Sequence, residues 1–193
     1  KDLTGNSTLD LTNVSFDSNA QIEFDGTDDG INLANIYSGS TENNITVECV
    51  VQLDATQTTR IFMANYTQVA GPTGFALGIS DSSANKVKWF TGGGSGTNTI
   101  TSTTTLVNGN YYHVVGTYNG SQKLLYVNGV QEATATISSA INNTSTVASI
   151  GYLRYLSNQR LNGTIPLVKT YNRALTASEI KSNFNAIKGR FNI

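Results

Sequence analysis

The chain has 193 residues, of which 13% are charged, and its formal net charge at neutral pH is -1. This length is typical of one large all-β domain and is sufficient to bury a sizeable core. Because the charges nearly cancel, there is no positive field to attract a phosphate backbone, which argues against nucleic acid as a partner. No apolar run approaches the ~20 residues of a membrane helix, so we expect no membrane partner.

The cysteine count limits how the fold is stabilised, and the first residue bears on whether the chain is part of a longer protein. The single cysteine, Cys49, cannot form an intrachain disulfide, so stability must come from packing. The chain begins at Lys1 without a methionine. This start indicates either a processed protein or a piece of a longer one. We expect the second, with residues 1–193 as a single domain in the C-terminal part of the longer protein.

Alternation of apolar and polar residues is the dominant local pattern. It is clearest from Ile45 to Leu53, where Cys49 falls on the core face as a small buried hydrophobe. Asn128-Gly129 predicts a tight hairpin, because both central residues of a type I′ turn need positive φ. Further short strands are predicted at 21–24, 31–33, 75–79, 86–90, 111–118, 123–127, 130–137, 147–152 and 164–171. Many evenly spaced strands indicate a sandwich or jelly roll.

One segment near the C-terminus has the pattern of a helix. Thr176 and Glu179 have the spacing of a capping box, and Leu175 and Ile180 the spacing of a hydrophobic staple. Gly189 is placed to end the helix in a left-handed conformation. The sequence therefore predicts a helix over about 177–187.

Three segments that span the chain carry a family resemblance. They are 22–31 (IEFDGTDDGI), 111–120 (YYHVVGTYNG) leading into 125–129, and 161–175 with the helix that follows. Together they resemble the concanavalin A-like, laminin G-type jelly-roll family. The resemblance implies an all-β fold, a two-sheet antiparallel jelly-roll sandwich with one short C-terminal helix. The ends 1–6 and 184–191 resemble versions of this domain in structural proteins of tailed phages, especially marine ones.

The sequence departs from the family at two places. The family often has a tyrosine where Gly30 stands, and an acidic pair where Pro166 and Leu167 follow Ile165. Proline cannot donate to a sheet ladder, so Pro166 predicts an edge strand or a bulge. Functions that depend on the acidic pair are not implied for this chain.

The acidic turn with Asp25, Asp28 and Asp29 is the candidate metal site. Calcium prefers six to eight hard oxygen ligands, which a turn can supply from carboxylates and backbone carbonyls, and the resemblance implies calcium because family members often bind it. The turn is not an EF-hand, since Ile36 occupies the position of that loop's bidentate glutamate. The alternative is a solvated turn, which aspartates favour for local reasons.

Catalysis has little support in the sequence. Glu23 and Asp25 share a strand face, as in the glucanases of this superfamily, but Gly26-Thr27 begins a turn where a further carboxylate would be needed. His113 has no acidic partner at a suggestive spacing and is interpreted as a strand residue.

Two stretches combine aromatic rings with polar groups, as sugar recognition requires. One alternative for Trp89 is a core position, and one alternative for the loop after Tyr152 is a protein interface. The predicted ligand-binding residues are Trp89, Phe90, Tyr152, Arg154, Tyr155, Asn158, Gln159 and Arg160.

The leading functional hypothesis is a non-catalytic carbohydrate-binding or receptor-recognition module, displayed on a virion or extracellular protein and contacting a cell-surface glycan or receptor. The alternative is a structural domain of a phage particle that contacts other virion or parent-protein subunits, with a homo-oligomer as one form. A glucanase-type glycoside hydrolase is the third hypothesis.

Overall fold

The computed structural model describes residues 9–11, 13–17, 21–34, 43–67, 73–92, 97–137, 141, 147–154, 156 and 159–193. Within these residues the chain forms strands and a C-terminal helix. They are β1 (Leu9–Asp10), β2 (Ser15–Phe16), β3 (Ile22–Asp25), β4 (Ile31–Ala34), β5 (Ile45–Leu53), β6 (Ile61–Thr67), β7 (Thr73–Ile79), β8 (Lys86–Gly92), β9 (Thr97–Thr105), β10 (Tyr111–Tyr118), β11 (Gln122–Val127), β12 (Val130–Thr136), β13 (Val147–Ile150), β14 (Asn162–Tyr171) and α1 (Ala177–Phe191).

The strands form two antiparallel seven-stranded sheets. The first has the order β1-β4-β13-β6-β7-β8-β9 and the second the order β12-β11-β10-β5-β14-β3-β2. This confirms the predicted two-sheet jelly-roll sandwich with a C-terminal helix. The core lies between the sheets, and Cys49 is fully buried in it as predicted. Burial, followed by the charge of Glu48, raises the pKa of this thiol far above its ordinary value, so it is an inert core side chain.

Strand β6 was not predicted from the sequence. In β6, both Ile61 and Phe62 are buried, and the pairing register with β7 shifts between Ile61 and Met63. A strand that is buried on both faces and carries a bulge loses the period-two pattern, so alternation could not reveal it.

Pro166 lies in a bulge of an interior strand. Strand β14 lies between β3 and β5, and its register with β5 shifts between Thr164 and Leu167. The bulge alternative is therefore confirmed and the edge-strand alternative is wrong. The bulge accommodates a residue that has no N–H to give to the ladder.

Helix α1 begins as predicted and ends later. The capping box between Thr176 and Glu179 is present, but Gly189 lies inside the helix, and Asn192 ends it with φ 54° and ψ 46°. Asparagine tolerates the left-handed conformation well enough to replace glycine here. The extra turn buries Phe191, whose ring lies 5.4 Å from that of Tyr111.

Candidate functional site

Tyr152 lies where the backbone of Gly30 leaves room for its ring. A Cβ atom at Gly30 would overlap the ring of Tyr152, and the Tyr152 hydroxyl donates to Oδ1 of Asn32. The aromatic ring that family members often place at position 30 is thus replaced by one from the opposite loop. Tyr152 is 8% exposed and packs against the backbone of Gly30, and its contact with a ligand stays a prediction.

Arg160 fastens the segment after Tyr152 to the acidic turn. Its guanidinium lies 4.8 Å from the centroid of the Tyr152 ring, and its Nη1 donates to the carbonyl oxygens of Asp28 and Asp29 at 2.8 and 2.7 Å. We call Arg160, Tyr152 and these two carbonyls the loop clamp. The structure therefore brings the two predicted sites together, because Arg160 bonds to the turn at 25–29 and Tyr152 packs on Gly30 beside it.

The acidic turn places three carboxylates close together. One oxygen from each of Asp25, Asp28 and Asp29 lies within 4.8 Å of the others. Burial, followed by the nearby charges of Asp25 and Asp28, raises the pKa of Asp29. Hydrogen bonding from the Thr27 backbone lowers the pKa of Asp25. The cluster therefore concentrates negative charge that a cation could relieve.

The fit of this turn to calcium is partial. The three carboxylates provide hard oxygens, but Oδ1 of Asp25 accepts from the N–H of Thr27 at 2.7 Å, and Oδ2 of Asp29 accepts from the N–H of Asp25 at 2.8 Å. The carbonyls of Asp28 and Asp29, which could have completed a ligand set, accept from Arg160 instead. A bound ion would need water for much of its coordination shell.

A cleft of about 220 Å³ lies on the outer face of the first sheet, between β6, β7 and β8 and the segment after Tyr152. We call it the sheet cleft. It brings together two predicted ligand-binding residues, Phe90 and Gln159, which are far apart in the sequence. It is also lined by Thr59, Ile61, Tyr66, Ala76, Asp81, Lys88, Thr99, Leu153 and Leu156.

The sheet cleft combines an aromatic floor with polar groups. The rings of Tyr66 and Phe90 meet edge to face with their centroids 5.1 Å apart. Lys88 Nζ forms an ion pair with Asp81 Oδ1 at 2.7 Å, and this hydrogen bond is the largest cause that lowers the pKa of Asp81. The cleft thus offers apolar ring surface, an ammonium, a carboxylate and the amide of Gln159 to one ligand. Tyr66 was not predicted as a site residue because β6 was not predicted, and Asp81 was missed because its pairing with Lys88 is a contact across a turn.

Trp89 is a core residue, which corrects its place among the predicted ligand-binding residues. Its side chain is 0% exposed, its Nε1 donates to the carbonyl of Thr117 at 3.0 Å, and its ring occupies the space that a Cβ at Gly116 would need. Strand alternation sends Trp89 inward and Phe90 outward, so only Phe90 reaches the cleft.

Three predicted ligand-binding residues remain. Arg154 is exposed and does not line the sheet cleft. Tyr155 and Asn158 lie outside the described residues. Their contact with a ligand stays a prediction.

A buried polar network lies on the other side of the sandwich, under α1. The Glu48 carboxylate accepts from His113 Nε2 at 3.2 Å, Lys169 Nζ at 3.3 Å, the Tyr171 hydroxyl at 3.0 Å and Asn183 Nδ2 at 2.8 Å. His113 therefore has an acidic partner, which the sequence reasoning missed because the two are 65 positions apart. Both side chains are 0% exposed, so no substrate can reach them, which agrees with a structural role for His113.

In the part of the chain that the structure describes, no helix has the length and apolar character needed to cross a bilayer.

The fold and the segment order define a jelly-roll domain of a lectin-like class. The family model described as the Concanavalin A-like lectin/glucanases superfamily (Laminin_G_3) matches residues 25–181. The chain therefore belongs to this family. No curated protein matches it in sequence.

Solved structures share the fold at low sequence identity. The binding domain of Paraclostridial Mosquitocidal Protein 1 superposes with a TM-score of 0.73 and 17% identity over 96% of this chain and 49% of its own. The receptor binding domain of botulinum neurotoxin D gives a TM-score of 0.71 and 12% identity over 93% and 48%. A "putative carbohydrate binding protein" from Bacteroides ovatus gives 0.66 and 18% over 82% and 45%. This chain thus spans about half the length of each.

Proposed function

We propose that the chain is a non-catalytic carbohydrate-binding module that recognises a cell-surface glycan or glycosylated receptor through the sheet cleft. The observation that carries the proposal is the cleft itself, which collects Phe90, Tyr66, Lys88, Asp81 and Gln159 from strands β6 and β8, the turn after β7 and the segment before β14. Sugars present flat C–H faces and hydroxyl groups. Aromatic rings pack against the former, while amides and charged groups bond to the latter.

The rigid surroundings of the cleft support a binding role. The floor belongs to a sheet, and the loop clamp holds Arg160, the residue that follows Gln159. A loop placed by a rigid scaffold binds with less loss of conformational entropy than a free one. The three similar structures named above are described as binding proteins, which agrees with the proposal while their low identity limits the likeness to the fold.

The proposed setting is display on an extracellular or virion protein as part of a longer chain. The low number of charges and the surface rich in hydroxyl and amide groups suit a module exposed outside the cell. The virion setting rests on the resemblance of the two ends to phage structural proteins.

Saccharide binding can be measured directly. A glycan array followed by isothermal titration should identify a ligand, and Lys88→Ala and Gln159→Ala should each weaken its affinity about tenfold or more. Lys86→Ala is the matched control, because Lys86 lies on the same strand but does not line the cleft. The absence of any bound saccharide, with and without Ca²⁺, would contradict the proposal.

A calcium ion at the acidic turn is the second part of the proposal. Asp25, Asp28 and Asp29 would bind it weakly, with water completing the shell. We expect Ca²⁺ to raise the melting temperature of the native chain and of Asp54→Asn, but not of Asp28→Asn. Asp54 is an exposed aspartate outside the turn. If the native chain shows no shift up to about 10 mM Ca²⁺, well above the range of extracellular modules, the calcium site does not exist.

The two rival hypotheses give different results in the same experiments. An assembly domain would bind no saccharide and would form oligomers with itself or with parent subunits, as measured by light scattering. A hydrolase would release reducing ends from laminarin-type glucans and would lose this activity in Glu23→Gln. Asp25, its partner in that hypothesis, bonds instead to the backbone of its own turn.

A further inference from the structure

A second polar pocket lies on the opposite side of the sandwich, where the end of α1 meets the beginning of β10. Its volume is about 550 Å³, within the usual range for small-ligand sites. We call it the helix-end pocket. Its side chains come from Gln21, Asn110, Tyr111, Arg190, Phe191 and Asn192.

Two aromatic rings form the base of the helix-end pocket. Phe191 is 7% exposed and lies with its ring centroid 5.4 Å from that of Tyr111, at an interplanar angle of 48°. The Tyr111 hydroxyl donates to Oε1 of Gln21 at 3.0 Å. The left-handed conformation of Asn192 ends the helix directly after Phe191, so the base is held by the helix, the strand and the residue before β3.

The rim of the pocket carries polar groups available to a ligand. The Arg190 guanidinium lies 5.2 Å from the centroid of the Phe191 ring and forms no ion pair with a carboxylate of the described residues. Arg190, Asn110 and Asn192 are exposed. The rim therefore presents a guanidinium and two amides next to the aromatic rings. These groups can donate hydrogen bonds to hydroxyl groups and accept hydrogen bonds from them.

The charge around the pocket limits the ligand class. Burial, followed by the charges of Asp17, Asp54 and Glu23, raises the pKa of Tyr111, so these carboxylates act at the base of the pocket. They outnumber the single guanidinium of Arg190 on the rim. This balance favours an uncharged ligand rich in hydroxyl groups over an anion.

We propose that the helix-end pocket is a second saccharide site, which takes one or two neutral sugar units. It shares the ligand class of the proposed function but none of its residues, because the sheet cleft lies on the first sheet and this pocket beside the second. Two sites on opposite sides would let one module contact two branches or two glycans, and so raise its avidity.

The test is a titration followed by amide chemical shifts in ¹⁵N-labelled protein. The probes are methyl β-galactoside, N-acetylglucosamine and lactose as neutral sugars, with sialyllactose as the anionic comparison. We expect saturable shifts at residues 109–111 and 190–192 with a neutral sugar, and about tenfold weaker binding for Arg190→Ala and Asn110→Ala. Lys181→Ala and Asn185→Ala are the controls, since both residues are exposed on α1 outside the pocket.

The outcomes separate this proposal from the previous one. Shifts at 109–111 and 190–192 that persist in Gln159→Ala and are lost in Arg190→Ala support the helix-end pocket. Shifts confined to the sheet cleft overturn it and leave the proposed function intact. Shifts that are unchanged in Arg190→Ala, or that are stronger with sialyllactose, also overturn it.

Discussion

The outer faces of the two sheets are covered in different ways. Helix α1 closes the outer face of the second sheet, where Leu175 and Ile180 pack on Val115 and Tyr126. The outer face of the first sheet carries its own apolar cluster, which includes Phe90 and Leu153, and a cleft remains open beside it. The outer face of the second sheet is therefore the closed face, and that of the first sheet is the open face.

The charged side chains of the two faces differ in their exposure to solvent. On the closed face, the Glu48 carboxylate is 0% exposed and has four side-chain donors. On the open face, Asp81 in the ion pair with Lys88 is 67% exposed. Buried charge must be fully bonded, whereas exposed charge can exchange its partner for a ligand at low cost. The closed face therefore serves stability, and the open face could take the proposed ligand.

Of the changes that test this comparison, removal of the Glu48 carboxylate should lower the free energy of unfolding most. Glu48→Ala leaves His113, Lys169, Tyr171 and Asn183 without their shared acceptor under the helix. We expect a loss of about 3 to 5 kcal/mol in the free energy of unfolding, as for other broken buried pairs. Denaturant titration measures this loss.

A matched glutamate on the same sheet provides the control. Glu23→Ala removes a partly exposed carboxylate from β3, and its effect should stay within about 0.5 kcal/mol. Equal losses for the two variants would contradict the special role of the closed face.

The pH dependence of stability should report the same network. Burial alone would raise the pKa of Glu48, but the hydrogen bond from His113 and the charge of Lys169 outweigh it and hold the pKa at about 2. The folded pKa lies below the unfolded value of 4.5, so this stabilisation is complete above pH 4.5 and is lost as pH falls towards 2. It amounts to roughly 3 kcal/mol. In Glu48→Gln, the loss of stability between pH 4.5 and 2 should be smaller by that amount, and an unchanged pH profile would refute the assignment.

The sequence predicted the fold better than the site, for physical reasons. Period-two alternation and the capping box between Thr176 and Glu179 are local, so they predicted most strands and the start of the helix. Asn128 and Gly129 have φ values of 51° and 72°, as their turn requires. The end of the helix was wrong because the packing of Phe191 on Tyr111 is a tertiary contact.

The site depended on contacts between distant parts of the chain. Phe90 and Gln159 could be chosen by residue type, but their meeting in one cleft follows from the sheet order. Trp89 has the same residue chemistry as a sugar-binding ring, and only its orientation places it in the core. The pairing of Glu48 with His113 likewise follows from neighbouring strands rather than from spacing in the sequence.

A smaller effect should follow when the loop clamp is broken. Arg160→Ala removes two hydrogen bonds to the acidic turn and the cation over the Tyr152 ring. We expect a local loss of about 1 to 3 kcal/mol, seen as faster amide exchange at residues 151–154 and 161 with little change in the core strands. Arg154→Ala, which removes an exposed arginine from the same segment, should leave these exchange rates unchanged. Faster exchange throughout the sandwich would show that the clamp supports the whole fold rather than the open face.

The smallest effect should come from the ion pair of the sheet cleft. Asp81→Asn removes a carboxylate that is 67% exposed and lies 2.7 Å from Lys88 Nζ. Solvent screens this pair, so the free energy of unfolding should change by less than about 1 kcal/mol, and the difference should shrink further at about 1 M salt. The melting temperature at low and high salt measures it. A loss as large as that of Glu48→Ala would mean that the open face is also stabilised by its charges, and the division between a stabilising face and a binding face would no longer hold.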